Sequence, residues 1–122
     1  MFQIPFTMIP MDNMFKLDIH LLEYEIDKLH NDTFPIIICN AGSTAYGSID
    51  DIESIDNVLN TYTSKFPGHI HIDASFGGMV IPFNNGNTVK PTNWFNLTHV
   101  KTMALDLHKM AQMPYPSGVF MC

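Results

Sequence analysis

The sequence contains no arginine, and its positive charge comes from lysines alone. Six lysines stand against twelve aspartate and glutamate residues, which gives a formal net charge of −6 at pH 7. A basic patch with bidentate donors is therefore missing, which argues against nucleic acid as the main partner. The lack of guanidinium groups also means that this chain supplies no arginine clamp for a substrate carboxylate or a phosphate.

Cysteine is scarce, and long apolar runs are missing. The two cysteines, Cys39 and Cys122, leave a disulfide open, but free thiols in a reducing cytosol are the better interpretation. The apolar runs are too short to span a bilayer, and the first residues lack the basic-then-apolar pattern of a secretory signal. With 122 residues, 46% of them apolar, we expect at most one domain in a soluble, cytoplasmic protein.

Short apolar segments alternate along the chain with segments of helical periodicity. The predicted strands are residues 2–9, 36–39, 69–73, 99–105 and 118–121. The predicted helices are 19–30 and 51–64, with a short helical turn near 93–97 and a surface loop at 84–88. Asp18 and Asp50 are the candidate N-caps of the two helices. Pro5 places the first strand at an edge, and the unbroken run Ile36–Cys39 favours a strand buried on both faces.

Strands that alternate with helices at these spacings predict an α/β fold with a mainly parallel sheet and flanking helices. In open α/β sheets, ligands bind beyond the carboxyl ends of the strands. Three of the predicted ends carry small or polar residues: Gly42-Ser-Thr44, Asp73-Ala-Ser75 and Asp106-Leu-His-Lys109. We expect these segments to converge at one edge of the sheet and to form the functional site.

Lys109 lies between two strand-like runs, with leucine and methionine residues around it. Partial desolvation disfavours the ammonium form, so a lysine in this setting is expected to act as a nucleophilic amine near neutral pH. A Schiff-base lysine has this property, and a pyridoxal phosphate site requires one. The alternative from the residues alone is a surface lysine in a tight loop, which is the commoner role of a His-Lys dipeptide.

His69, His71 and Asp73 alternate along one predicted strand and therefore share one of its faces. An exposed cluster of this kind can bind zinc. No further cysteine or histidine stands at a convincing ligand spacing, so we expect no metal. Taken alone, Asp73 is explained equally well as a cap of the loop that follows it.

Three motifs follow one another at suitable separations: Gly42–Asp50, His71–Gly78 and Asp106–Lys109. Together they resemble the central part of the group II pyridoxal-phosphate-dependent amino acid decarboxylases. The resemblance is nearest to the archaeal-type tyrosine/aspartate decarboxylases, and it covers nearly the whole chain. It implies an aspartate aminotransferase-like fold of type I, in which residues 1–122 would form part of the cofactor-binding large domain.

The resemblance implies the two central roles. Lys109 matches the catalytic lysine that holds pyridoxal 5'-phosphate as an internal aldimine. Asp73 matches the carboxylate that pairs with the pyridine nitrogen and keeps the ring an electron sink. A carboxylate at a buried strand end is unfavourable unless it meets such a cation, which agrees with this assignment.

Four further positions match cofactor-binding residues of the family. The Thr44 hydroxyl would lie near the cofactor, and Ser75 stands where many relatives have an alanine packed against the pyridine face. His108 would lie near the phosphate and the aldimine. Thr102 stands where relatives often have a serine that helps to bind the phosphate, and a plain strand threonine explains this position nearly as well. Ser43 replaces a more usual threonine, which is a mild departure from the family pattern.

Members of this family are several times longer than this chain. Segments that would cradle the phosphate, stack on the ring and clamp the substrate carboxylate have no match here, which favours a fragment of the large domain. In one hypothesis, the chain belongs to a working carboxy-lyase for an amino acid substrate, as a homo-oligomer or with a complementing chain. In the other, it is a non-catalytic remnant or interaction module that retains the sheet core. Neither hypothesis involves nucleic acid or a membrane.

Overall fold

The computed structural model describes residues 4–62, 64–81 and 93–122. In these ranges, two helices and four strands follow one another in the order α1 (Ile19–Asp27), β1 (Ile36–Asn40), α2 (Ile52–Thr61), β2 (His69–Asp73), β3 (Val100–Asp106) and β4 (Gly118–Met121). A short 3-10 turn at Trp94–Asn96 precedes β3. Within these ranges, no helix is long and apolar enough to cross a membrane. The surface loop predicted at 84–88 lies outside the described residues.

The strands form one sheet in the order β1-β2-β3-β4. The first three strands are parallel, and β4 returns antiparallel to β3. The register places Asn40 beside Asp73 and Asp73 beside Ala104, so the carboxyl ends of β1, β2 and β3 lie side by side. The predicted α/β class with a mainly parallel sheet is therefore confirmed.

The hydrophobic core lies between the sheet and the two helices, which cover the same face. Inward-facing strand residues such as Ile70 and Ile72 are fully buried and pack against the buried stripes of α1 and α2. Each helix begins at an aspartate cap: Asp18 accepts a hydrogen bond from the Leu21 amide, and Asp51 accepts one from the Ser54 amide. These caps fix where the helices begin, and both helices end about one turn earlier than predicted.

The other face of the sheet is open. Ile36 and Ile38 point away from the helices and are 61% and 65% exposed, so the prediction that this strand is buried on both faces is wrong for the described residues. An unbroken apolar run indicates that both faces of the strand can pack against apolar residues. It does not show that this chain itself contains a helix for each face.

Two further local predictions are wrong. Residues 4–9 form no strand, because no neighbouring strand pairs with them, and Phe6 is 83% exposed. Asp50 is not the cap of α2. It is buried and accepts hydrogen bonds from the backbone amides of Leu17 and Asn40, both at 2.7 Å. Asp50 thereby fastens the segment before α1 to the end of β1.

Candidate active site

The segments predicted to converge do so at the carboxyl edge of the sheet. An open cleft of about 120 Å³ is lined there by residues from three stretches of sequence, 42–44, 73–76 and Lys109, together with Asn40. Each stretch follows a strand of the parallel part of the sheet, and the strand register brings the stretches together. The predicted convergence is therefore confirmed for Thr44, Asp73, Ser75 and Lys109.

Asp73 is held by the residue two positions after it. Its Oδ1 accepts the Ser75 hydroxyl at 2.6 Å and the Ser75 backbone amide at 3.0 Å. Burial alone would raise the pKa of the Asp73 carboxyl, but these two hydrogen bonds, with Lys109 and His71 nearby, outweigh it and leave the pKa below its ordinary value. Asp73 is therefore an ionised carboxylate at neutral pH.

Lys109 lies in the turn after β3 and is anchored by an acidic neighbour. Its Nζ lies 2.8 Å from Asp106 Oδ2, and its side chain is 36% exposed. The expected desolvation of Lys109 is wrong, because the residue is exposed and its amine is paired with a carboxylate. Its place in the cleft, opposite the strand-end carboxylate Asp73, comes from the turn geometry.

Hydrogen bonds between Ser43 and Ser48 join the two ends of the loop after β1. The Ser43 and Ser48 hydroxyls lie 2.7 Å apart, and the backbone amides of Gly42 and Ser43 both donate to the Ser48 carbonyl. Thr44 is exposed at the rim of the cleft, and its hydroxyl makes no hydrogen bond to a described residue. The loop thus presents the Thr44 hydroxyl on a fixed backbone.

Two of the predicted cofactor-binding residues do not line the cleft. The His108 Nδ1 lies 3.1 Å from the Ser117 amide and 2.9 Å from the Ser117 carbonyl, which ties the lysine turn to the start of β4. The Thr102 hydroxyl lies on the open face of the sheet between two imidazoles, 2.8 Å from His69 Nε2 and 2.7 Å from His71 Nδ1. Their predicted contacts with the cofactor stay predictions.

The two strand histidines are thus engaged by the same threonine. His71 also stacks on Phe120 of β4, with ring centroids 5.9 Å apart. In the part of the chain that the structure describes, no group of three or more histidine, cysteine, aspartate or glutamate side chains is arranged to hold a metal ion. We therefore assign no metal to these residues.

Three residues at the site were given no role by the sequence reasoning. Asn40 and Phe76 line the cleft, and Asp106 binds Lys109. Asn40 is the last residue of β1. It directly follows the predicted strand 36–39, so the rule that ligands bind beyond strand ends could have found it. Asp106 stands three residues before Lys109, a spacing that brings two side chains together once the chain turns.

Comparison with known proteins identifies a family for almost the whole chain. Residues 1–120 match the model described as the pyridoxal-dependent decarboxylase conserved domain. A tryptophan decarboxylase of Clostridium sporogenes is 36% identical over 85 residues, which make up 70% of this chain and 19% of that protein. A probable L-tyrosine/L-aspartate decarboxylase of Methanosphaerula palustris is 35% identical over 113 residues, 93% of this chain and 28% of that protein. The chain thus spans about a quarter of these relatives, and the archaeal-type resemblance is confirmed.

Solved structures give the same fold. A sphingosine-1-phosphate lyase of Burkholderia pseudomallei superimposes with a TM-score of 0.74 at 23% identity, covering 94% of this chain and 25% of that one. The tryptophan decarboxylase of Catharanthus roseus gives a TM-score of 0.68 at 18% identity, covering 93% of this chain and 24% of that one. These neighbours are pyridoxal-phosphate-dependent enzymes of fold type I, and the predicted fold is therefore confirmed.

Pyridoxal phosphate is the cofactor of this family, and the donor set of the cleft fits it. Asp73 is held ionised, as a partner of a protonated pyridine nitrogen must be. A primary amine, that of Lys109, lines the same cleft, and Thr44 and Ser75 add hydroxyl groups. The cleft therefore holds a lysine and a carboxylate, the two kinds of group that pyridoxal chemistry requires.

Proposed function

This chain belongs to the pyridoxal-dependent decarboxylase family. We propose that it carries the part of an amino acid carboxy-lyase site that contains the cofactor-binding lysine, Lys109, and the carboxylate Asp73. The observation that carries the proposal is that Asp73 and Lys109, 36 residues apart in sequence, line one cleft at the carboxyl edge of the sheet. A packing role explains neither residue, because both are polar and neither belongs to the hydrophobic core.

Each cleft residue has a role in the proposal. Asp73 pairs with the pyridine nitrogen, and Ser75 holds the carboxylate in place through its hydroxyl and amide. Lys109 supplies the amine that binds the cofactor covalently, and Asp106 orients this amine before the cofactor arrives. The Thr44 hydroxyl donates to the cofactor from the opposite rim.

Pyridoxal phosphate, when bound, supplies the electron sink that accepts the electron pair left as carbon dioxide departs. The chain's contribution is electrostatic and geometric. Asp73 stays ionised because Ser75 donates two hydrogen bonds to it, so it favours a positive charge at its partner nitrogen. Lys109, which is accessible in the cleft, is placed to accept and return a proton at Nζ.

In our proposal, the groups that bind the substrate carboxylate and complete the site are not supplied by this chain. The sequence contains no arginine, so a guanidinium that binds the substrate carboxylate must belong to another segment or chain. The matched residues make up only 19% and 28% of the two relatives. We propose that this chain acts as a partial large domain, as a homo-oligomer or with a complementing chain, and that the isolated chain does not decarboxylate amino acids.

A second candidate is a non-catalytic interaction module that keeps the sheet core. The open sheet face supports it, because Ile36, Ile38 and Phe120 present exposed apolar surface there. Retention of the lysine and the carboxylate in one cleft favours the first candidate, since an interaction module has no use for either. Free thiols at Cys39 and Cys122 support the further proposal of a reducing, cytoplasmic location.

The test is covalent capture of pyridoxal phosphate by the purified chain. We expect weak binding with a visible absorbance band, and borohydride treatment followed by peptide mass spectrometry should place the label on Lys109. Lys109→Ala should abolish both signals, whereas Lys101→Ala, which removes an exposed lysine of β3, should leave them intact. A label spread over several lysines, or a band that survives in Lys109→Ala, would contradict the proposal. Carbon dioxide released from an amino acid in a Lys109-dependent manner would exclude the interaction module, and it would also overturn the proposal that the isolated chain does not decarboxylate.

A further inference from the structure

The cleft is poor in positive charge. Among its described lining residues, Lys109 is the one cation, and Asp106 already binds its amine. Asp73 adds a negative charge to the same space. An oxygen-bearing ligand in this cleft must therefore be bound largely by neutral hydrogen-bond donors, and such a donor has to be rigidly placed to select one orientation.

Asn40 lines the cleft on a backbone that is fixed from both sides. Its amide donates to Asp50 Oδ2 at 2.7 Å, and its carbonyl accepts the Asp50 amide at 3.0 Å. Asp50 is buried, and its other carboxylate oxygen accepts the Leu17 amide at 2.7 Å. The end of β1 is therefore held by two hydrogen bonds to an anchored residue, and neither bond involves the side chain of Asn40.

The carboxamide of Asn40 shares the open face of the sheet with Asp73. The two residues are register partners on neighbouring parallel strands, so their side chains project from the same face about 5 Å apart at the backbone. Asp73 Oδ1 is engaged by Ser75. The carboxamide of Asn40, by contrast, makes no hydrogen bond to a described residue and is exposed to the cleft.

We propose that Asn40 is a further cofactor-binding residue, whose carboxamide N–H donates to an oxygen substituent on the pyridine ring and holds the ring against Asp73. The inference rests on the proposed function, because it assigns the ligand of that same cleft. A neutral amide suits this position, since a second carboxylate beside Asp73 would repel both Asp73 and an anionic ring oxygen.

Asn40→Ala tests the proposal cleanly, because all hydrogen bonds between Asn40 and Asp50 use the backbone of Asn40. We expect the Kd of pyridoxal 5'-phosphate to rise roughly 3- to 10-fold, as for one lost hydrogen bond. The Kd of pyridoxal, which lacks the phosphate, should rise by the same factor. Asn40→Asp should raise the Kd values of both ligands further. Asn57→Ala, on the exposed side of α2, is the matched control and should leave both Kd values unchanged.

The outcomes separate this inference from the proposed function. Equal losses for both ligands, with the melting temperature of the ligand-free variant unchanged, would support a contact between Asn40 and the ring. Unchanged Kd values in Asn40→Ala, while the unmodified chain binds and Lys109→Ala does not, would overturn the inference and leave the proposed function standing. A loss confined to pyridoxal 5'-phosphate would place the contact at the phosphate and overturn the ring assignment. If the unmodified chain bound neither ligand, the proposed function and this inference would both fall.

Discussion

Gly42 and Gly77 meet with no room for a side chain on either residue. A Cβ on Gly42 would lie 2.4 Å from the Gly77 Cα, and a Cβ on Gly77 would lie 2.6 Å from the Gly42 Cα. Gly42 also has a φ of 87°, in the left-handed region. The loop after β1 and the loop after β2 are therefore in backbone contact, and this contact sets the spacing of the two walls of the cleft.

The first prediction concerns this contact. Gly42→Ala should lower the free energy of unfolding by roughly 2–4 kcal/mol, because the methyl group meets backbone atoms that cannot move aside and because the left-handed φ is strained. Chemical denaturation measures the effect. Gly47→Ala is the control: it lies in the same loop at a φ of 65° but has no atom within 4 Å of an added Cβ. It should show only the conformational part, about 1 kcal/mol. Equal effects in the two variants would show that the loops do not touch.

The second prediction concerns the ionisation of Asp73. Ser75→Ala removes the 2.6 Å hydrogen bond to Oδ1 and should raise the pKa of the Asp73 carboxyl toward its ordinary value of 3.8. Carboxyl-carbon NMR shifts followed against pH measure this directly.

The sign of the linked stability follows from the lowered pKa of Asp73. A carboxyl whose pKa is lower in the folded state stabilises the fold above its ordinary pKa, and this stabilisation is lost as the pH falls through the folded value. In Ser75→Ala the pKa of Asp73 lies closer to its ordinary value, so the free energy of unfolding should fall less between neutral and acidic pH. Ser43→Ala, at another wall of the cleft, should leave the pKa of Asp73 where it was. An Asp73 titration that is identical in Ser75→Ala and the unmodified chain would refute the assigned role of Ser75.

The third prediction concerns the start of β3. Asp56 of α2 is buried, and its carboxylate accepts the His99 amide at 2.7 Å, the Thr98 amide at 3.3 Å and the Asn60 side chain at 3.2 Å. Asp56→Ala should lower the free energy of unfolding by roughly 3 kcal/mol, because the buried amide and imidazole of His99 lose their partner.

Thermal and urea unfolding check this prediction. Glu53→Ala on the same helix is the control, since Glu53 is exposed and should matter by less than about 0.5 kcal/mol. Because β3 leads directly to the lysine turn, Asp56→Ala should also loosen Lys109, which faster amide hydrogen exchange at residues 106–109 would report. Protection in this turn that matches the unmodified chain would argue against that coupling.

Much of the fold could be predicted from the sequence because local and long-range signals agree. The alternation of apolar runs with helical stripes predicts parallel strands, and parallel strands necessarily bring their carboxyl ends to one edge. The meeting of Asp73 and Lys109 follows from that geometry and required no knowledge of side-chain contacts.

Other features depend on contacts that a pattern does not contain. The apolar run of β1 is equally compatible with one covered face or two, and in the described chain only one face is covered. Apolar neighbours in sequence predicted a desolvated Lys109, but in the structure Lys109 is exposed and its amine lies beside Asp106. Asp50 and Asp51 are adjacent and chemically identical. Only the tertiary structure decides that Asp51 caps the helix while Asp50 binds Leu17 and Asn40.

The fourth prediction distinguishes the two cysteines. Cys39 is fully buried in β1, and its thiol donates to the His71 carbonyl at 3.6 Å. Burial, together with the nearby charges of Asp50 and Asp73, raises the pKa of the Cys39 thiol to about 12. Cys122 is an exposed free thiol at the end of the chain. Since the thiolate is the reactive form, Cys39 should be inert in the folded chain at pH 8.

Iodoacetamide labelling at pH 8, read out by peptide mass spectrometry, tests this difference. We expect Cys122 to be alkylated and Cys39 to be protected, with both residues labelled at similar rates in urea. Cys122→Ser is the control, because it should leave a native chain that takes up almost no reagent. A thiol that is buried and protonated does not react with iodoacetamide. Rapid labelling of Cys39 in that variant would therefore mean that β1 opens on the timescale of the reaction. Protection of Cys39 would show instead that β1 stays in the sheet of the isolated chain. The hydrogen bonds between Asp50 and Asn40, which hold Asn40 in the cleft, depend on this strand.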